Sequence, residues 1–227
     1  MRPYGLALMQ TNLYCKKSPK LAVFLIVKRL LLMQKLELKD ILPLDDFESQ
    51  RKKFFESHIR YIEKYRKVRL GSSISLVFEN RQTLWFRVQE IFRLTKIADP
   101  KVMQNELNVY NRLIPETNTL QAAFILDPQS SADTINSPAF SLKDFRGDNL
   151  RLILNKSIPC DLTTKRPEDL SLGNSLWIRF FLDEEAKMIL KDGRTPAKFS
   201  LSSNQFLAES HNLPTEIRES LWEDLQN

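Results

Sequence analysis

Three carboxylates occupy positions from which they could act together: Glu79, in the run Phe78-Glu79-Asn80 that leads into a predicted helix, Glu90 on that helix, and Glu106 on the next one. Carboxylates converging from two helices can ligate a hard divalent cation, or can divide acid and base roles if burial drives their pKa values apart. Glu79, Glu90 and Glu106 are therefore the candidate catalytic set. The competing reading is structural: Glu79 and Asn80 cap a helix, while Gln89, Glu90 and Glu106 tie helices to neighbouring backbone amides. Neither histidine of the chain, His58 or His211, stands beside them, which favours the structural reading.

The remaining residues narrow the chemistry. Cys15 and Cys160 make no CxxC pair, the histidines make no HxxxH pair, and the four are spread over almost the whole chain, so no structural zinc site is expected. Cys160, after Ile158 and Pro159, reads as a small buried apolar residue, and such sparse cysteine use suits a reducing compartment. The five glycines are well separated, which excludes phosphate cradles of the P-loop or Rossmann kind. Nothing local marks a nucleophile, and neither a metal nor a cofactor is expected.

A binding surface is the other possibility. Arg51, Lys52, Lys53, Arg60, Lys64, Arg66 and Lys67, with Arg69 just beyond, face only Glu56 and Glu63 on what reads as one long helix. Arg51, Lys52, Arg60 and Lys67 are the candidate phosphate contacts of a basic helix spanning 51–69, since rows of Lys and Arg release counterions from nucleic acid. The alternative is a solvated face with pairs such as Glu56 with Arg60 and Glu63 with Lys67. No aromatic residues interleave the basic ones, so the solvated face is preferred.

These side chains depend on elements that the periodicity outlines. Phe47, Phe54, Phe55, His58, Ile59, Ile62 and Tyr65 recur at helical spacing up to about Lys67, and Asp45 with Glu48 forms a capping-box pattern. Gly71 ends that unit, and Ser73 to Phe78 alternates as a half-buried strand. Asn80 caps a second helix whose apolar face is Leu84, Trp85, Val88, Ile91 and Phe92. Asp99-Pro100 opens a third, which Pro115 stops. Strands are predicted at 120–126, 150–154, 176–182 and about 197–201, a short helix at 184–191, and a last helix at 213–225. Helices around a strand, followed by mixed short strands with peripheral helices, make an α+β chain: a long N-terminal helix and helical half, then a mixed, short-stranded half.

The 34 Lys and Arg against 28 Asp and Glu give a formal charge of +6, with 42% hydrophobic residues available for a core. All of the excess lies in residues 1–32, which hold six basic residues and no acid. The run Leu21 to Val27 within it is too short to span a bilayer, and no small-residue cleavage site follows it. We read 1–32 as a non-native upstream extension, with a natural start at Met33, or as a disordered segment, and 33–227 as one α+β domain, helix-rich over 33–128 and β-rich over 138–227. The polar stretch 129–137 is its internal boundary, and 165–174 is a second polar stretch.

The stretches Leu38-Lys39-Asp40-Ile41-Leu42, Leu76 to Thr83, Gln89-Glu90, and Glu106-Leu107 through Tyr110-Asn111 to Pro115 resemble an uncharacterised bacterial family catalogued as a domain of unknown function. The likeness runs from about Met33 to Asp127, weakens through the β half and returns at Leu213 to Leu225. Members of that family are often encoded beside rubrerythrin and an iron-sulfur oxidoreductase of heterodisulfide-reductase type. The resemblance therefore implies a cytoplasmic, non-catalytic accessory or partner of a peroxide- or thiol-redox system, with those two proteins as candidate partners. Related chains carry a histidine in the strand that here reads Ser175 to Phe180, so a histidine-based role does not transfer. The alternatives are a nucleic-acid-binding module and a metal-dependent enzyme using the carboxylate cluster.

Overall fold

In the computed structural model, which describes residues 35–126, 145–163, 176–203 and 206–226, helix α1 (Leu44–Tyr61) starts directly after Pro43. The expected Asp45–Glu48 cap does not form. The helix begins at Leu44, so Asp45 and Asp46 fall inside its first turn, where carboxylates complement the exposed N–H groups. At its other end α1 widens into a π-helical turn, Ile62–Arg66, and strand β1 (Lys67–Leu70) begins at once. Lys67 and Arg69 thus lie on a strand, not on a basic helix running to 69. The π turn also rotates Arg66 away from the basic face assigned to it by helical spacing and buries it completely.

Helix α2 (Arg81–Thr95) starts as its sequence predicts. The Asn80 side chain accepts the N–H groups of Gln82 and Thr83, and the Thr83 hydroxyl accepts the Asn80 N–H. Asp99 caps α3 (Pro100–Tyr110), with Pro100 in the first turn. Asp183 caps α4 (Glu184–Asp192), which ends at Gly193 with φ +74°, and α5 (Thr215–Leu225) follows Pro214.

The strands are β1, β2 (Ile74–Phe78), β3 (Thr119–Leu126), β4 (Leu150–Ile153), β5 (Ser157–Leu162), β6 (Leu176–Phe181), β7 (Lys198–Ser203) and β8 (Phe206–Glu209). They form one sheet in the order β1-β2-β3-β6-β5-β4-β7-β8, and each strand pairing in it is antiparallel. The sheet curls until its edges approach: the Gly71 N–H donates to Glu209 O at 3.1 Å, and Gly71, at φ +57°, lies against Ala208 of β8. The result is nearly a barrel, which leaves little free edge.

Alternation along the strands divides the apolar residues into two cores. Inward positions fill the barrel, where Phe199 of β7 lies 5.4 Å from Phe78 of β2 and 5.2 Å from Phe180 of β6. Leu221 and Leu225 of α5 and Leu190 of α4 join this interior. Outward positions Ala123 of β3 and Trp177 of β6 pack instead under α2 and α3, with Leu84, Val88, Leu107 and Tyr110. Helix α1 is further out and covers less. Of its predicted apolar face only Phe47 is fully buried, while Phe55 and Ile59 are exposed. Its contact is a narrow aromatic seam on α2: Phe47 and Phe54 against Trp85, and His58 stacked on Phe86 at 4.2 Å. The polar stretches 129–137 and 165–174, and the segment 1–32 with its proposed start at Met33, lie outside the described residues.

Candidate functional site

Glu79 stands where β2 ends and α2 begins, its N–H bonded to Gln121 O at 2.8 Å and its side chain fully buried. A buried carboxylate needs partners on both oxygens, and the first two turns of α2 supply them. The Thr83 hydroxyl donates to Oε2, and Arg87 Nη2 donates to Oε1 at 2.6 Å. The arginine then continues across the sheet and lies over the Trp177 ring, 5.0 Å from its centroid.

The same outer face carries a transverse row of polar side chains. Gln121 on β3 faces Arg179 on β6, and Arg179 faces Asp161 on β5. Arg179 Nη2 donates to Asp161 Oδ2 at 3.2 Å, and the Gln121 amide meets the Thr163 hydroxyl at 3.2 Å. Both Arg87 and Arg179 keep an Nε–H that is enclosed and has no acceptor. Tyr110 and His58 border this region. Burial pushes the Tyr110 phenol up, against the opposing pull of Arg87, and burial holds His58 below its ordinary value, with Glu79 acting in the other direction.

The predicted carboxylates are placed apart. Glu90 points to the outer side of α2, where it accepts Arg51 Nε at 2.7 Å and Arg51 Nη2 at 3.0 Å, and Arg93 Nη2 at 3.0 Å. Burial would raise its pKa, but the hydrogen bonds from Arg51 and Arg93 prevail and hold it below the usual carboxylate range. Glu106 is half-buried on α3, where its charge adds to the burial that raises Tyr110. Among the described residues, no three His, Cys, Asp or Glu side chains are grouped to hold a metal ion.

The basic candidates separate as well. Arg51 is engaged by Glu90, and Lys67 by Glu63 at 2.8 Å, while Lys52 and Arg60 are exposed on α1. Cys160 sits on β5 facing the barrel interior, its thiol donating to Gly147 O at 3.1 Å, and burial pushes its pKa up to about 12.

One buried cluster has no counterpart in the sequence reading. Arg66 uses all of its N–H groups: Nε on Phe78 O, Nη1 on the carbonyl and hydroxyl of Ser220, and Nη2 on Glu79 O and the Asp224 carboxylate. Burial opposes its charge, and Asp224 more than offsets that, so the guanidinium is held charged. Asn80 also bonds Asp224, and its Nδ2 donates to Tyr61 OH at 2.9 Å. The clamp joins the end of α1 to α5. Helical spacing alone placed Arg66 in solvent, and no sequence signal marks the π turn that moves it.

A family model described as "Protein of unknown function (DUF3501)" matches residues 35–225 of the chain. A crystal structure of a novel protein of unknown function from Burkholderia pseudomallei is similar, with a TM-score of 0.69 and 20% identity, covering 85% of this chain and 100% of that one. At that identity the likeness concerns the fold. No curated protein matches the chain.

Proposed function

The chain belongs to the DUF3501 family of proteins of unknown function, and from that premise we propose that it is a non-catalytic accessory protein of a peroxide- or thiol-redox system. Its candidate partners are rubrerythrin and an iron-sulfur oxidoreductase. The partner reading is supported by the gene neighbourhood that the family resemblance implies, and a cytoplasmic location goes with it. No helix among the described residues is long and apolar enough to cross a membrane.

The observation that carries the non-catalytic part is the engagement of the best-placed reactive groups. Glu79 is neutralised by Arg87 and Thr83, and Glu90 by Arg51 and Arg93. Glu90, held below the usual carboxylate range by Arg51 and Arg93, is a poor proton donor and a weakened base. With its thiol pushed up to about 12, Cys160 offers almost no thiolate at neutral pH. These features describe a scaffold for binding. The sheet also runs through both sequence halves, through the β3–β6 pairing, which supports treating 33–227 as one domain.

Affinity capture of the tagged full chain tests the proposal, from cells grown aerobically and under peroxide stress. Recovery of rubrerythrin or the iron-sulfur oxidoreductase is expected. Recovery of neither under both conditions overturns it.

A further inference from the structure

Helix α1 is tied down beyond both of its ends and lightly held between them. Before it, the Asn111 side chain brackets Leu36, accepting its N–H at 2.7 Å and donating to its carbonyl at 2.9 Å. Asp40 follows: Trp85 Nε1–H donates to its carbonyl at 2.8 Å, and Arg81 pairs with its carboxylate at 2.7 Å. After the helix, Arg66 is locked between β2 and α5 with every N–H matched. The 18-residue helix between these anchors buries one side chain completely, Phe47.

The helix meets α2 through three kinds of contact. Phe47 and Phe54 stand edge-on to Trp85, Arg51 pairs with Glu90, and the His58 ring lies on Phe86, 4.2 Å away and 26° from parallel. The last of these is the one that a proton changes. A neutral imidazole stacks on a phenyl ring as an apolar plate, whereas an imidazolium needs acceptors or water on both N–H groups. The charged groups around His58 are already engaged. Glu79, at the end of β2, accepts Thr83 and Arg87, and Glu90, on α2, accepts Arg51 and Arg93. On α1 itself, one turn away, the group that titrates is Tyr61, whose hydroxyl accepts Asn80 Nδ2. Burial disfavours the charged ring and Arg87 adds to that, and together they outweigh the attraction of Glu79 and Glu90.

We propose that α1 is a strap released by protonation of His58: its middle parts from α2 and uncovers Phe86 and Trp85, while the anchors at Asn111 and Arg66 and the barrel beneath stay in place. Leaving α2 returns the ring to water, where it binds a proton with its ordinary strength. The closed form is therefore fully favoured above about pH 6.5 and loses ground as pH falls from there towards the value of the stacked ring. The Arg51–Glu90 pair does not respond over this range, because Glu90 is held below the usual carboxylate range. The π turn Ile62–Arg66 lies between the seam and the clamp, so the regular helix ends before Arg66 and a movement of α1 need not disturb it. This inference does not rest on the accessory-protein reading, and a failed partner capture leaves it standing.

The test is hydrogen exchange of the full chain, followed by mass spectrometry from about pH 7 down to about pH 5 and corrected for the intrinsic pH dependence of exchange. Peptides from α1 are expected to lose protection by roughly threefold or more over this range, while peptides from β3 and β6 keep theirs. His58→Phe keeps a ring on Phe86 and takes up no proton, so its α1 protection should be independent of pH. If that variant fails to fold, His58→Gln, neutral throughout the range, carries the same comparison. Three results overturn the proposal: α1 protection that stays constant in the parent, loss of protection in α1 and the barrel together, or the same pH response in the parent and a folded variant.

Discussion

Arg66 and Arg87 both bind Glu79, the first through its carbonyl and the second through its carboxylate. Their surroundings differ. Arg66 is completely enclosed and every N–H has an acceptor, while Arg87 is one-third exposed and leaves Nε unmatched. A satisfied buried ion network makes one arrangement unique, because any other leaves charge without partners. A network that leaves one enclosed donor unmatched specifies its arrangement less tightly. The contrast divides the polar interior of this protein into a clamp that fixes the end of α1 and helix α5 to the barrel and a half-exposed pair that ties α2 to the end of β2.

The largest effect should come from opening the clamp. Arg66→Ala strands Asp224 in the interior and removes the acceptors' partners in β2 and α5, so a loss of about 3–5 kcal/mol in urea unfolding is expected. A loss below that of any outer-face variant would erase the distinction between the two networks. Glu79→Gln keeps the size of the side chain but removes the charge that Arg87 and Thr83 face. It should cost about 1–3 kcal/mol, measured the same way.

A smaller effect is expected from pH. Burial holds the His58 pKa below its ordinary value, so the unfolded chain takes up that proton at a higher pH than the folded one. The contribution is complete above about pH 6.5 and is lost as pH falls from there towards the folded value. His58→Phe, which retains a ring against Phe86, should flatten this part of a stability-against-pH curve. A curve identical to that of the parent between about pH 7 and pH 5 would assign the dependence to another group.

The smallest effect belongs to the outermost helix. Lys52→Glu with Arg60→Glu changes exposed residues of α1 and should alter stability by less than about 0.5 kcal/mol. The same double variant examines the nucleic-acid alternative. A steep salt-dependent affinity for RNA or DNA, lost in the variant, would give α1 a binding role and count against the accessory-protein reading.

Legibility in the sequence followed the range of the interactions. Asn80, Asp99-Pro100 and Asp183 announced their helices, because caps act over three or four residues. The strands over 74–78, 120–126 and 176–181 were visible as apolar or alternating runs, and Cys160 was read correctly as buried. Three strands escaped. β1 directly continues a helix, β5 contains Pro159, and β8 is only Phe206–Glu209. For each, membership in the sheet depends on a neighbour that is distant in sequence. The carboxylates show the same limit. Glu79 was singled out as a polar residue at a helix start, but its partner Arg87 was not, and Glu90 was grouped with Glu79 and Glu106 whereas Arg51 and Arg93 hold it on the outer side of α2.

By itself, then, the sequence determined the types and approximate limits of the longer elements, the mixed helix and strand character of the chain, and the absence of glycine clusters that a phosphate loop needs. Only the tertiary structure decided that eight strands curl until Gly71 meets Glu209, that a π turn carries Arg66 inside to Asp224, and that Arg87 reaches from Glu79 to the Trp177 ring. The physical reason is common to all three. Caps and periodicity report energies that act within a few residues, whereas a strand register and the burial of a charge depend on partners brought from far along the chain. The sequence records each of those partners and says nothing of where they meet.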